Sequence, residues 1–169
     1  MVRFLACFPS PSTERIIDVE KVLARGTAKL IRRWTDGENT ISVLANPNEK
    51  VQLIEEGSAI LIAFGEDYSG RDIPELFRLL IKRNYDVLKE IDGEVVFLVF
   101  YKPEKRIDII SDALGVRYIF YRKAKDSIIL SSELKGILGM EEEISKRINR
   151  KAVLEYLRYG FILGNKTLF

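Results

Sequence analysis

The chain of 169 residues contains no histidine, the residue that proteins use most often as a general base and as a metal ligand. It has one cysteine, Cys7, which cannot form an intrachain disulfide and is too few for a zinc site built on thiolates. These two absences exclude a Ser/His/Asp triad and a Cys/His pair. We therefore predict no metal site and no cofactor, and any catalysis must use other groups.

Long apolar runs are also missing. No run approaches the roughly 20 residues that a membrane-spanning helix needs, and the opening "MVRFLACF" reaches Pro9 too early for a secretory signal. We expect no membrane association and a cytoplasmic location. The 27 basic and 25 acidic residues are interspersed, as on a solvated surface. The most basic stretch, 145–151, is short, so we expect no nucleic-acid partner.

The apolar residues that are present fall in short runs separated by turn residues, and the length suits one compact domain. Four pairs of such runs predict four consecutive β-hairpins and mainly antiparallel sheets. Their turns are 35–38 (TDGE), 55–58 (EEGS), 102–105 (KPEK) and 124–126 (AKD).

The longest helical pattern covers 72–93, where apolar residues recur at helical spacing. Asp72 can cap this helix, and Pro74 and Glu75 suit its first turn. Shorter helices are predicted at about 16–25, after 131–133 and within 149–160. All seven residues of 95–101 are apolar, which predicts a strand buried on both faces. These elements indicate a layered α+β domain with two stacked sheets and helices outside.

Two loops have simple structural interpretations. The stretch 160–167 (GFILGNKT) is loosely similar to a phosphate-binding loop, but three residues rather than four separate its glycines, and Asn165 separates Gly164 from Lys166. It is interpreted as a turn after a helix. The stretch 63–72 (AFGEDYSGRD) is interpreted as a loop at a strand end, where Gly65 supplies a positive φ and Asp72 caps the following helix.

Taken in order, five segments resemble one known family, the amino-terminal class II (Ntn-type) glutamine amidotransferase domain of asparagine synthetases. The resemblance is strong from about residue 60 to the end and weak over 9–58. It implies a four-layer αββα Ntn-hydrolase-like sandwich with mainly antiparallel sheets, formed by a single domain over 1–169. The segments are FGEDYS, DVLKEIDGEVVFLVFY, SDALGVRYIFYR, LSSELKGIL and LEYLRYGFILGNKTLF.

The resemblance also implies a chemistry. In active members a cysteine after the initiator Met attacks the glutamine amide, with its own α-amine as the base. The match places Val2 at that nucleophile, Phe64 at an oxyanion-hole Asn and Thr40 at the arginine that binds the substrate carboxylate. Gly65 of the oxyanion pair remains, and Asp72 stands at the aspartate that binds the substrate amine. We thus expect no catalytic residue, and Gly65 and Asp72 as vestigial substrate-binding positions.

Two functions follow from the resemblance, and whether the chain is an enzyme stays open. The first is a structural or interaction module without glutaminase activity. Its partner would be a synthetase (ATP pyrophosphatase) domain, in cis or in trans, and 149–169 resembles the start of the segment that joins the two; a homodimer is also compatible. The alternative is an active glutamine amidotransferase that supplies ammonia for the synthesis of asparagine or a related amide. It would need a non-standard nucleophile such as Cys7.

Overall fold

The computed structural model describes residues 2–140 and 148–168 of the chain. Within them the strands are β1 (Arg3–Phe8), β2 (Lys29–Thr35), β3 (Thr40–Ala45), β4 (Val51–Glu56), β5 (Ala59–Asp67), β6 (Gly93–Tyr101), β7 (Arg106–Ile110), β8 (Phe120–Lys123) and β9 (Ile128–Ser131). The helices are α1 (Thr13–Leu23), α2 (Ile73–Ile81), α3 (Leu134–Met140) and α4 (Arg150–Tyr159), and Tyr85–Glu90 forms a 3-10 helix.

The strands form two antiparallel sheets. The first has the order β2-β3-β1-β9-β8 and the second the order β4-β5-β6-β7. The four predicted hairpins are confirmed as the pairs β2–β3, β4–β5, β6–β7 and β8–β9. The amino-terminal strand β1 lies between β3 and β9, so the first residues of the chain lie in the middle of a sheet.

Three apolar clusters hold four layers together. The central cluster fills the space between the two sheets and includes Phe4, Phe64 and Leu98. A second cluster joins the outer face of the β5–β6 sheet to α2 and the 3-10 helix, and a third joins the outer face of the β1 sheet to α1 and α3. The expected helix–sheet–sheet–helix sandwich is therefore confirmed, including the burial of both faces of β6 over 95–101.

Strand β1 contributes to two of these clusters because successive side chains point to opposite faces. Val2, Phe4 and Ala6 face the space between the sheets. Leu5 and Cys7 face α1 and α3. Val2, which directly precedes β1, and Cys7, which lies within it, thus belong to different layers.

The long helix predicted over 72–93 is wrong in its second half. Its start is confirmed, because the Asp72 carboxylate accepts a hydrogen bond from the Glu75 N–H. The α-helix ends at Ile81, where Arg83 adopts a positive φ of 60° and the Asn84 N–H bonds back to the Leu79 carbonyl. The later apolar residues still pack on the same cluster from the 3-10 helix, so the apolar spacing suggested one continuous helix.

No helix in the described part of the chain is long and apolar enough to cross a membrane. Of the basic stretch 145–151, residues 145–147 lie outside the described residues.

Candidate functional site

A cavity of about 370 Å³ opens at the beginning of β1. We call it the Val2 cavity. Its apolar walls are Val2, Phe64, Tyr118, Phe120 and Leu134, and its polar groups are Arg117, Ser132 and Glu133. The structure therefore brings together Val2 and Phe64, which are 62 positions apart in the sequence, and adds residues from the β8 and α3 regions.

Val2 and Phe64 make the floor of the Val2 cavity unreactive. Both are buried in the central cluster, and the Phe64 ring lies 6.0 Å from that of Phe4. An isopropyl group and a phenyl ring have no nucleophilic atom and no hydrogen-bond donor. At this end of β1 the cavity can therefore bind apolar groups, but these two side chains cannot attack or polarise an amide.

The serine next to the cavity is used for structure. The Ser132 hydroxyl accepts a hydrogen bond from the Phe4 N–H at 3.0 Å, and the Ser131 hydroxyl donates to the Phe4 carbonyl at the same distance. Ser131 also accepts a bond from the Glu133 N–H at 3.2 Å, ahead of α3. The short helix predicted after 131–133 is confirmed as α3, and the two bonds to Phe4 fix β1 against the turn before it.

Gly65 follows Phe64 within β5 and pairs with Val95 of β6, so the loop expected over 63–72 begins only after Asp67. The φ of Gly65 is +112°, and a Cβ at this position would lie 2.0 Å from the Glu94 carbonyl oxygen and 2.8 Å from Arg117 Nε. Only glycine fits this backbone and this space. The Arg117 side chain occupies the space that a Cβ at residue 65 would need, and its Nε donates a hydrogen bond to the Glu94 carbonyl at 2.7 Å.

Charged groups stand at the rim of the cavity. Glu133 accepts hydrogen bonds from Arg3 Nε and Lys135 Nζ, both at 2.7 Å. Partial burial raises the pKa of the Glu133 carboxyl, but the bonds from Lys135 and Arg3 outweigh it and lower the pKa below its ordinary value. Glu133 is therefore an anion near neutral pH and is already paired.

Thr40 does not lie near Val2, which corrects the expectation that it replaces the carboxylate-binding arginine there. In the β1–β3 register Thr40 pairs with Cys7, whereas Arg3 pairs with Leu44. At about 3.3 Å per residue, Thr40 is roughly 15 Å from Val2 along the strand. The part of β3 beside Val2 is its other end, Leu44 and Ala45, and neither residue carries a charge.

A second, smaller cavity of about 260 Å³ is lined in part by Gly65, Gly70 and Arg71. Asp72, the next residue along the chain, is not part of this lining. The Asp72 carboxylate caps α2 at the Glu75 N–H, 3.2 Å away. This role accounts for an aspartate at position 72 without any ligand.

Cys7 lies on the opposite face of β1 from Val2, completely buried among α1 and α3 residues. Burial raises the pKa of the Cys7 thiol to about 12, so the thiol is protonated at neutral pH. A protonated, inaccessible thiol is not a nucleophile.

Sequence reasoning did not single out Arg117 and Glu133, although both lie in segments that carry the family resemblance. The sequence feature that could have indicated them is a charged residue close to a turn. Arg117 lies two residues after Gly115, and Glu133 follows two serines. Only the tertiary structure, which brings the segments before β8 and α3 close to Val2, places them at one cavity. Among the described residues no group of three or more Cys, Asp or Glu side chains could hold a metal ion.

Comparisons with known proteins identify the family. The family described as "Glutamine amidotransferase domain" matches residues 63–169. A Methanocaldococcus jannaschii protein that bears the name of a glutamine-hydrolyzing asparagine synthetase is 38% identical over 105 residues. That alignment covers 62% of this chain and 20% of the relative, so the chain spans about a fifth of the protein it matches. Because the family match covers more than half of the sequence, the chain belongs to the glutamine amidotransferase domain family.

Proposed function

We propose that this chain is a glutamine amidotransferase-like domain that has lost glutaminase activity and acts in the cytoplasm as a structural or interaction module. Its partner is a synthetase domain that activates its substrate with ATP, in cis or in trans, and 149–169 begins the segment that joins the two. The observation that carries the proposal is the identity of Val2 and Phe64 in the Val2 cavity. They stand where the resemblance requires a thiol and an amide.

The size of the loss supports an inactive site. Removing one oxyanion-hole donor alone weakens transition-state stabilisation by about 2.7–4 kcal/mol. Removing the nucleophile removes the covalent route itself. The end of β3 beside Val2 also carries no cation, so the arginine that the resemblance expects on that strand is missing there.

The alternative, an active enzyme that uses Cys7, is disfavoured by where that thiol lies. To reach the Val2 cavity, Cys7 would have to cross the sheet from the α1–α3 layer. Its raised pKa, about 12, also opposes the thiolate that an attack would require.

A glutaminase assay tests this proposal. We expect no ammonia release above a blank at millimolar glutamine from the purified chain, with folding checked by its thermal transition. Val2→Cys alone should stay inactive, because Phe64 still cannot stabilise an oxyanion. Ammonia release that disappears in Cys7→Ser would instead establish the alternative, and release that survives Cys7→Ser would show an unrecognised catalytic group.

The surface of α4 supports an interaction role. This helix buries Ala152, but most of its large apolar side chains face solvent. Exposed apolar patches of this kind mark contact surfaces in soluble proteins. The exposed residues here and in the following turn are Leu154, Tyr156, Leu157, Tyr159, Phe161 and Leu163.

Sedimentation velocity can test the partner. The chain is mixed with an asparagine synthetase variant that lacks its own amidotransferase domain, and a 1:1 complex is expected. The double variant Leu154→Glu/Leu157→Glu should abolish the complex, whereas Lys151→Glu on the same helix should not. An unchanged complex with the double variant would remove α4 from the interface, and self-association of the chain alone would favour a homodimer.

A further inference from the structure

The Val2 cavity is open to solvent, and its walls are apolar except for charged groups at one edge. Loss of glutaminase activity by itself does not explain why such a cavity is present. Its volume of about 370 Å³ lies within the range of small-molecule pockets, roughly 300–1,000 Å³. Such pockets combine apolar walls with a few polar groups that orient the ligand. We propose that the Val2 cavity binds a small carboxylic acid with an apolar body, whose carboxylate is received by Arg117.

The apolar body is assigned from the walls. Val2 and Phe64 close the inner end, and Phe120 and Leu134 stand along the sides. Tyr118 is largely exposed beside the opening, where its ring lies 6.4 Å from that of Phe120. A phenyl or branched alkyl group placed among these side chains would leave water and cover apolar surface that the chain itself leaves uncovered.

The carboxylate is assigned from Arg117. A guanidinium has five N–H donors, and the one hydrogen bond that it makes within the described part of the chain takes a single donor, Nε. The Glu94 carboxylate is 4.0 Å from Nη2, beyond hydrogen-bonding distance. The Nε bond holds the plane of the guanidinium in place, so its outer edge is oriented before a ligand arrives. Arginine binds carboxylates through such a pair of parallel N–H donors.

The surrounding charge also favours an anion. Glu133, the carboxylate within the lining, is already bonded to Arg3 and Lys135. Arg3 Nη1 is in addition buried without a hydrogen-bond partner among the described residues. Cations therefore outnumber carboxylates at this edge, which would attract an anionic ligand. The groups next to the cavity are Arg3, Arg117 and Lys135 against Glu94 and Glu133.

This ligand shares a carboxylate with glutamine but has neither the side-chain amide nor the α-amine of glutamine. The phenyl ring of Phe64 would lie against an apolar tail, whereas the glutamine side-chain amide would lose its hydrogen bonds to water there without replacement. The α-amine of glutamine would meet the cationic edge. The inference goes beyond the proposed function and does not depend on it, since binding and glutamine hydrolysis are measured separately.

Calorimetric titration with three probes tests the inference: 4-phenylbutyrate, the uncharged 4-phenylbutan-1-ol and glutamine. We expect saturable binding of the acid, binding of the alcohol that is weaker by about tenfold or more because a charge-assisted bond is lost, and no binding of glutamine. Amide chemical shifts of the labelled chain should move around Val2, Phe64 and Phe120. Absence of acid binding, equal binding of acid and alcohol, or shifts elsewhere would overturn the inference.

Three variants separate the contribution of the Arg117 charge from that of the cavity. Arg117→Gln should reduce acid binding to the level of the alcohol, and Lys123→Gln, which removes a charge at the far end of β8, should leave it unchanged. Leu134→Trp, at a half-exposed position, should fill the cavity and block acid and alcohol alike. Thermal unfolding of each variant confirms that it folds. Acid binding that survives Arg117→Gln in a folded protein would contradict the role of Arg117.

Discussion

The β-sandwich buries most of its large apolar side chains, whereas the carboxyl-terminal stretch 148–168 exposes most of its own. Leu98, in the middle of β6, is 1% exposed, whereas Leu157, on α4, is 75% exposed. The sandwich encloses its apolar residues in three clusters. In α4 the buried residue is a small one, Ala152.

Apolar burial in the sandwich contributes to the free energy of folding, whereas the exposed apolar surface of α4 makes no such contribution. Burial contributes about 25 cal/mol per Å² of apolar surface removed from water. In the sandwich this contribution stabilises the fold, while on α4 it stays available for a contact with another domain. The Val2 cavity lies between these extremes, because its walls are anchored in the core but one side is open. The four predictions below test this contrast.

The largest effect is expected from Leu98→Ala, which deletes a buried side chain from the central cluster. The substitution should lower the free energy of unfolding by about 2–5 kcal/mol, because it removes apolar burial and leaves a cavity. Urea denaturation measures this as a lower midpoint at unchanged m. A loss below 1 kcal/mol would mean that the space between the sheets is not closely packed.

An intermediate effect is expected at the buried ion pair that holds α1 to the first sheet. The Glu20 carboxylate accepts bonds from Arg33 Nε at 2.9 Å and the Ser42 hydroxyl at 2.5 Å, and the bond to Glu20 raises the pKa of Arg33. Glu20→Gln should cost about 1–3 kcal/mol, because Arg33 and Ser42 lose a charged acceptor. Glu14→Gln on exposed α1 surface is the control, and equal effects of the two would show that burial of the pair contributes nothing.

A smaller effect is expected at the α2 cap. Asp72→Ala removes the acceptor for the Glu75 N–H and should cost about 1 kcal/mol. Asp72→Asn should be nearly neutral, because asparagine caps as well as aspartate does. The midpoints of urea denaturation of the two variants decide the matter, and a large loss in Asp72→Asn would indicate that the charge has a role besides capping.

The smallest effect is expected from Leu157→Ala on α4, the same substitution as Leu98→Ala but at an exposed site. The free energy of unfolding should change by no more than about 0.5 kcal/mol. The same urea experiment applies. A loss near that of Leu98→Ala would place Leu157 inside a core and end its assignment to a contact surface.

Local patterns in the sequence were sufficient for much of the fold. Short-range turn chemistry predicted all four hairpins, and the apolar run of β6 predicted its double burial, because both depend on neighbouring residues. The break of the helix after Ile81 was not predictable, since the apolar spacing continues past a positive φ at Arg83 that is not favoured by arginine itself. The family match over 63–169 agrees with the resemblance that begins at about residue 60.

At the candidate site, the contribution of residue identity can be separated from that of tertiary packing. Residue identities limit the chemistry under any fold: residue 2 is valine, residue 64 is phenylalanine, and the chain has no histidine. The packing of the chain instead places Thr40 at the far end of β3, turns Cys7 towards the helices, and brings Arg117 and Glu133 to the Val2 cavity. The physical reason is that side-chain identity is local, whereas strand register and the packing of distant segments fix which side chains share a space.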